Sequence, residues 1–177
     1  MNNSNHSNIL IIGGGCAGIS VATRLKSLKS DLSISIIEPS EKSLYQAAWT
    51  LVGAGAYDVN NTIKPMSSVM PNYVNWIKEY AESFSPESNS VRTSGGEYSY
   101  DYLVVCPGLK INFDGVAGLK ETLGKNNVCT NYSSDMAVYT WECLKNLQGG
   151  NLLFTEPPMP IKCAGAPQKI AYLAADK

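Results

Sequence analysis

Residues 8–38 read NILIIGGGCAGISVATRLKSLKSDLSISIIE. The first five, Asn8 to Ile12, are a continuous apolar, largely β-branched run, the composition of a strand buried in a parallel sheet. GGGCAG comes directly after, then ISVATRLKSLKS, with Ile19, Val21, Ala22 and Leu25 at helical spacing. A second β-branched run, Leu32 to Ile37, ends on Glu38. Strand, Gly-rich turn, helix, strand and acid, in that order, make the dinucleotide-binding fingerprint in the context it requires.

Each position has a physical task. Gly13 permits the tight turn, Gly15 lets the backbone approach a pyrophosphate, and Gly18 lets the helix pack close to the strand. The helix N-terminus offers unpaired N–H groups and the positive end of a dipole to phosphates. Glu38, 20 residues beyond Gly18, is placed to accept hydrogen bonds from a ribose diol, and it disfavours a 2′-phosphate. The fingerprint alone leaves FAD and NAD both open.

The order of the elements beyond Glu38 tips the choice towards FAD. YQAAWTLVGAGAYD (residues 45–58) reads as a short helix and loop, and VNWIKEYA (Val74 to Ala81) as a strand. Val91 to Thr93 and Glu97 to Ser99, around Gly95 and Gly96, suggest a small antiparallel meander. YDYLVVCPG (Tyr100 to Gly108) is another buried strand ending in a turn. A βαβ unit, a meander and a returning strand is the order of FAD domains, whereas plain NAD domains repeat βα units. Residues 111–132 are polar and Gly-rich, as in a linker. Ser133 or Ser134 can cap a helix running to about Leu147, with Gly149 as its stop. NLLFT (Asn151 to Thr155) reads as the first strand of a second βα unit, and a last helix runs from near Pro167 to Lys177. The expected architecture is α/β. A Rossmann-like FAD-binding domain with a small antiparallel β-meander (1–110) and a linker (111–132) precede the first elements of a second, incomplete Rossmann-like domain (133–177).

Composition excludes several classes. The chain has 177 residues with 44% hydrophobic and 16% charged content, which argues against disorder. Its 14 basic and 15 acidic side chains leave a net charge of −1 and no cationic field for nucleic acid. The apolar stretch Ile9 to Val21 is broken by four glycines, too short for a membrane span, and nothing basic precedes it as a signal peptide would require. The expected location of this chain by itself is therefore cytoplasmic. Five cysteines (16, 106, 129, 143 and 163) without CxxC spacing suggest neither a disulfide framework nor a metal site. The single histidine, His6, lies in the polar tail and leaves no His-based dyad. Catalysis here needs cysteine chemistry, a cofactor, or both.

A second nucleotide site is disfavoured, because no GxGxxG comes after NLLFT. Pro157, Pro158 and Pro160 lack the N–H groups and freedom of φ that a phosphate cradle needs. This argues against NADH as electron donor. Cys163 stands there instead, beside Lys162 and just before a helix N-terminus, the surroundings that make a thiol nucleophilic. The inert reading of a lone cysteine is set against that placement.

At these residues the chain resembles the N-terminal part of the sulfide:quinone oxidoreductases, within the FAD-dependent pyridine nucleotide-disulfide oxidoreductase superfamily. The matching stretches are IIGGGCAGIS, EPSEKSLYQAAWTLVGAG, YDYLVVCPGL, NYSSDMAVYTWECL and, most diagnostic, FTEPPMPIKCAGAPQKIAYLAAD. The resemblance implies that Cys163 is one of two redox cysteines that relay sulfide electrons to FAD through persulfide and disulfide states. It places Gly13, Gly15, Cys16, Ala17 and Gly18 in the pyrophosphate loop, makes Glu38 the ribose acid, and adds Gln46 and the backbone near Ala81 as further FAD contacts. Cys129 falls at an accessory third cysteine; its other reading is a plain linker cysteine. Cys16 and Cys143 read as structural, and Cys106 carries no assigned role. Ser43 stands where relatives often have His.

The family's members are over twice this length. The resemblance therefore implies that the second redox cysteine, the returning FAD strand and a bilayer-entering, quinone-binding segment lie outside these residues. The implied substrates are sulfide and a quinone. The implied location of the parent enzyme is peripheral, on the cytoplasmic side of a bacterial inner membrane, with a homo-oligomer left open. The alternatives are an NADH:quinone oxidoreductase-like flavoprotein and a catalytically incomplete flavin-binding fragment.

Overall fold

The computed structural model describes residues 5–177. The strands in chain order are β1 (His6–Ile12), β2 (Ile34–Ile37), β3 (Lys42–Leu44), β4 (Ile63–Pro65), β5 (Val74–Ile77), β6 (Ala81–Ser85), β7 (Ser90–Thr93) and β8 (Gly96–Val105). The helices are α1 (Cys16–Leu28), α2 (Trp49–Gly53), α3 (Met66–Val69), α4 (Leu119–Thr122), α5 (Ser134–Lys145) and α6 (Ala166–Ala175). A six-stranded sheet has the order β5-β2-β1-β8-β7-β6, and β3 and β4 make a separate two-stranded sheet. β5, β2, β1 and β8 run parallel, and β7 and β6 add antiparallel at one side. This is the expected Rossmann-type α/β sheet with its antiparallel extension.

The described residues form two compact units, one of 5–43 and 64–108, the other of 44–63 and 109–177. In the first, the alternation of β1 and β2 sends side chains to two separate cores. Ile9, Ile11, Ile34 and Ile36 pack with Ala22, and Ile19, Val21 and Leu25 of α1 join them. Leu10, Ile12 and Ile37 face the other way, with Ile77, Val91 and Tyr100. Burying each of these large aliphatic side chains contributes about 1.5–3 kcal/mol. The polar interruptions are satisfied, since the buried Ser7 and Ser35 hydroxyls bond each other at 2.6 Å. In the second unit, Trp49 and Val52 of α2 pack on Ala137 of α5.

Four elements differ from the sequence expectation. β1 starts at His6, because His6 and Ser7 already pair with Ser99 and Tyr100; His6 is thus a strand residue, its Nδ1 2.9 Å from Ser99 Oγ. The expected strand over Val74 to Ala81 is two strands, β5 parallel to β2 and β6 antiparallel to β7. The meander's last strand and the returning strand are one continuous β8, which pairs with β7 through Gly96–Ser99 and with β1 through Ser99–Val105. Asn151–Thr155 is not a strand but exposed irregular chain. A parallel strand needs a neighbour to close its hydrogen-bond ladder, and the described residues provide none there.

Candidate functional site

The glycine loop of the first unit is built for close approach. Gly13 ends β1 at φ 101°, a conformation that glycine adopts without strain, and its N–H donates to the Ile37 carbonyl at 2.9 Å. A Cβ there would collide with the carbonyl of Cys106 at the end of β8. Gly18 sits in the first turn of α1, where a Cβ would collide with the Gly13 carbonyl, so α1 packs against the loop only as glycine. Around Gly15 a Cβ would meet nothing within 4 Å. That open space lies over an N-terminus with no side-chain cap and no acidic residue in its first turn. Cys16 and Ala17, exposed in that turn, complete the rim. Free N–H groups and the dipole's positive end suit a pyrophosphate.

Glu38 comes just after β2 and is half-buried. Its Oε2 accepts from the Gly14 N–H at 2.8 Å and its Oε1 from the Ser40 N–H at 2.7 Å. The carboxylate thereby holds the glycine loop while keeping acceptor capacity for ribose hydroxyls. Charge-assisted bonds of this kind contribute about 1.5–3 kcal/mol. Glu38→Ala is therefore expected to lower unfolding stability by about that range, read as a shift of the urea midpoint; an unshifted midpoint would remove the structural role. Ala81 begins β6 and packs against the core around Leu10 and Ile77.

Gln46, Cys129 and Cys163 belong to the second unit. Cys163 is exposed, in the turn before α6, with φ 38°, a left-handed conformation unusual for a side-chain-bearing residue. Its carbonyl accepts from the Ala166 N–H at 2.9 Å. Lys162 is tied at both ends: Nζ donates to Gln46 Oε1 at 2.6 Å, and its carbonyl accepts from the Tyr132 hydroxyl at 2.9 Å. Tyr132 lies close enough to Cys163 to feel its charge; burial, then Cys163 and Glu156, push the phenol above its ordinary value. Gln46, expected as a cofactor contact, here anchors the lysine beside the thiol. Sequence reasoning misses Tyr132, since nothing in its spacing announces a partner 30 residues away.

Cys129 turns towards α5 rather than Cys163. Its S–H lies 3.3 Å from the Asn127 carbonyl, and its side chain faces Cys143 and Thr140. Burial and then the adjacent Cys143 push the Cys129 thiol from 9.0 up to about 11. The folded protein thus binds this proton more tightly than the unfolded chain does. The associated stability is whole below about pH 9.0 and is lost as pH climbs through about 11. Denaturation midpoints of the wild-type protein should fall over that window relative to Cys129→Ser; parallel curves would contradict the shift. Among the described residues no group of three His, Cys, Asp or Glu side chains could hold a metal ion, and no helix is long and apolar enough to cross a membrane.

The βαβ unit, the uncapped helix N-terminus and the acid at the second strand define a dinucleotide-binding protein. The family model for pyridine nucleotide-disulphide oxidoreductases matches residues 7–136, and the chain belongs to that family. The mitochondrial sulfide:quinone oxidoreductase of Mus musculus is 42% identical over 171 residues, covering 96% of this chain and 38% of that protein. Its Dictyostelium discoideum counterpart is 46% identical over 175 residues, covering 97% and 39%. The solved structure of the sulfide:quinone oxidoreductase from Aquifex aeolicus superposes with a TM-score of 0.64 at 30% identity, covering 79% of this chain and 31% of that one. The chain thus spans about two-fifths of the length of the curated relatives named here.

Proposed function

We propose that this chain is part of an FAD-dependent sulfide:quinone oxidoreductase. The observation that carries the reading is the Cys163 turn. An exposed thiol in a left-handed conformation, with Lys162 fixed on one side, stands before α6 where a second nucleotide loop would need free N–H groups. The residues of the first unit fit the cofactor: Gly13, Gly15, Cys16, Ala17 and Gly18 cradle the pyrophosphate and Glu38 takes the ribose. Gln46 and Ala81 are further contacts carried over from the family resemblance. Residues 1–110 carry the cofactor-binding domain, 111–132 link, and 133–177 open a second dinucleotide-type domain, onto which residues 44–63 also pack.

Cys163 is the residue of this chain that takes up sulfur. Hydrosulfide attacks Cys163 Sγ while it is in disulfide linkage to a second cysteine outside these residues. Cys163 is left carrying the added sulfur as a persulfide, and the partner thiolate leaves with the bonding electron pair. FAD, held by the glycine loop and Glu38, would supply a two-electron acceptor between the cysteines and the quinone. Cys129 is an accessory cysteine. The parent enzyme works as a peripheral protein at the cytoplasmic face of a bacterial inner membrane.

The test is spectroscopic. Full-length protein reconstituted with FAD is expected to show bound-flavin absorption that sulfide bleaches anaerobically and NADH does not. Bleaching by NADH alone would favour an NADH:quinone oxidoreductase, and failure to retain flavin would remove the cofactor assignment.

A further inference from the structure

The main chain at Glu38 is held through both of its polar groups by β5, the edge strand of the six-stranded sheet. Its N–H donates to the Ile77 carbonyl at 2.9 Å, and its carbonyl accepts from the indole Nε1–H of Trp76 at 2.8 Å. The first bond extends the parallel ladder, in which Ile37 pairs with Ile77. The second is made by a side chain, at the point where the ladder stops. The half-buried Trp76 thus carries the restraint one group further than strand pairing does. The indole is itself fixed from outside. Lys78 Nζ lies 4.5 Å from the centre of its ring and 3.0 Å from Glu41 Oε1. A cation over the ring face leaves the N–H edge free to donate in the ring plane.

The restraint reaches the carboxylate. The Gly14 and Ser40 N–H groups, at 2.8 and 2.7 Å, orient its two oxygens. A Cβ at Gly14 would stand 2.8 Å from both Cβ and Cγ of Glu38, so the stem of the acid lies directly against the glycine loop. The N–H groups aim the carboxylate, and the peptide from which the side chain springs decides where it stands. We propose that Trp76 is a positioning residue for the adenosine ribose of FAD: by pinning the Glu38 carbonyl it holds the carboxylate where the ribose hydroxyls reach it. Without the indole N–H, that carbonyl turns towards water, the acid shifts with it, and its bonds to the ribose lose their alignment. This role rests on the cofactor reading given above.

The experiment titrates full-length apoprotein with FAD and with FAD lacking the 2′-hydroxyl of its adenosine ribose, reading both dissociation constants from flavin fluorescence. The wild type is expected to prefer FAD by about tenfold or more, the scale of one hydrogen bond to a charged acceptor. Trp76→Phe keeps an aromatic ring beneath Lys78 and loses the donor. Replacing Trp76 with 3-benzothienylalanine goes further, keeping the indole shape with sulfur in place of the N–H. In both variants the preference should fall to about a third of its wild-type value or less, with FAD itself still bound. A purely structural role would weaken both flavins by the same factor and leave their ratio alone. An unchanged preference in either variant would overturn the role of Trp76 and leave Glu38 as the ribose acid. A wild type that binds both flavins equally would overturn the ribose assignment and the Trp76 role together, and one that binds neither would remove the cofactor reading with them.

Discussion

Replacing Cys163 with serine in the full-length protein is expected to abolish sulfide-dependent flavin reduction, a loss of about a thousandfold or more, the scale on which removal of the residue that carries a covalent intermediate is felt. Serine is nearly isosteric and meets the same φ of 38°, so the turn, the Ala166 N–H bond to its carbonyl and the Lys162–Gln46 anchor should all survive. The variant loses the sulfur that bonds to a second sulfur, which a hydroxyl cannot replace under these conditions. Anaerobic bleaching of bound flavin by sulfide measures the loss. A matching thermal melt and unimpaired reduction by dithionite would show that folding and flavin are intact. Turnover at the wild-type rate would sink the role given to Cys163.

Gly18→Ala is expected to weaken folding and cofactor binding together. The added methyl would collide with the Gly13 carbonyl and press on Ile11 Cγ2, both on the rigid strand end, so α1 must lift away. Overpacking of this kind costs about 1–3 kcal/mol, a fall in melting temperature of roughly 3–10 °C for a chain of this size. Gly15→Ala separates the two effects. Its φ of −75° suits alanine and its Cβ meets nothing within 4 Å, so stability should hold. The methyl would nonetheless occupy the space above the α1 N-terminus, and FAD affinity should fall. An unchanged melting temperature in Gly18→Ala, or unchanged FAD binding in Gly15→Ala, would contradict the cradle geometry.

The first βαβ unit is legible in the sequence because each local preference agrees with the tertiary outcome. NILII is buried on both faces, GGG meets a turn that tolerates no Cβ at Gly13, and the acid ends β2 as expected. NLLFT misleads for the opposite reason: apolar composition states a willingness to pair, and pairing needs a partner that the described residues lack there. Val74 to Ala81 misleads because a period-2 pattern does not reveal where a chain leaves one neighbour for another. β5 ends on β2, and β6 begins on β7.

Local sequence is sufficient for the dinucleotide cradle and for Cys163 before a helix, since strand, turn and helix N-terminus are made by residues within one short segment. Long-range contacts determine the remainder. Tyr132 on the Lys162 carbonyl, Gln46 on its ammonium and Cys143 against Cys129 join positions 30, 116 and 14 residues apart. No short-range propensity encodes such pairings. They arise only when the chain folds and brings those positions together.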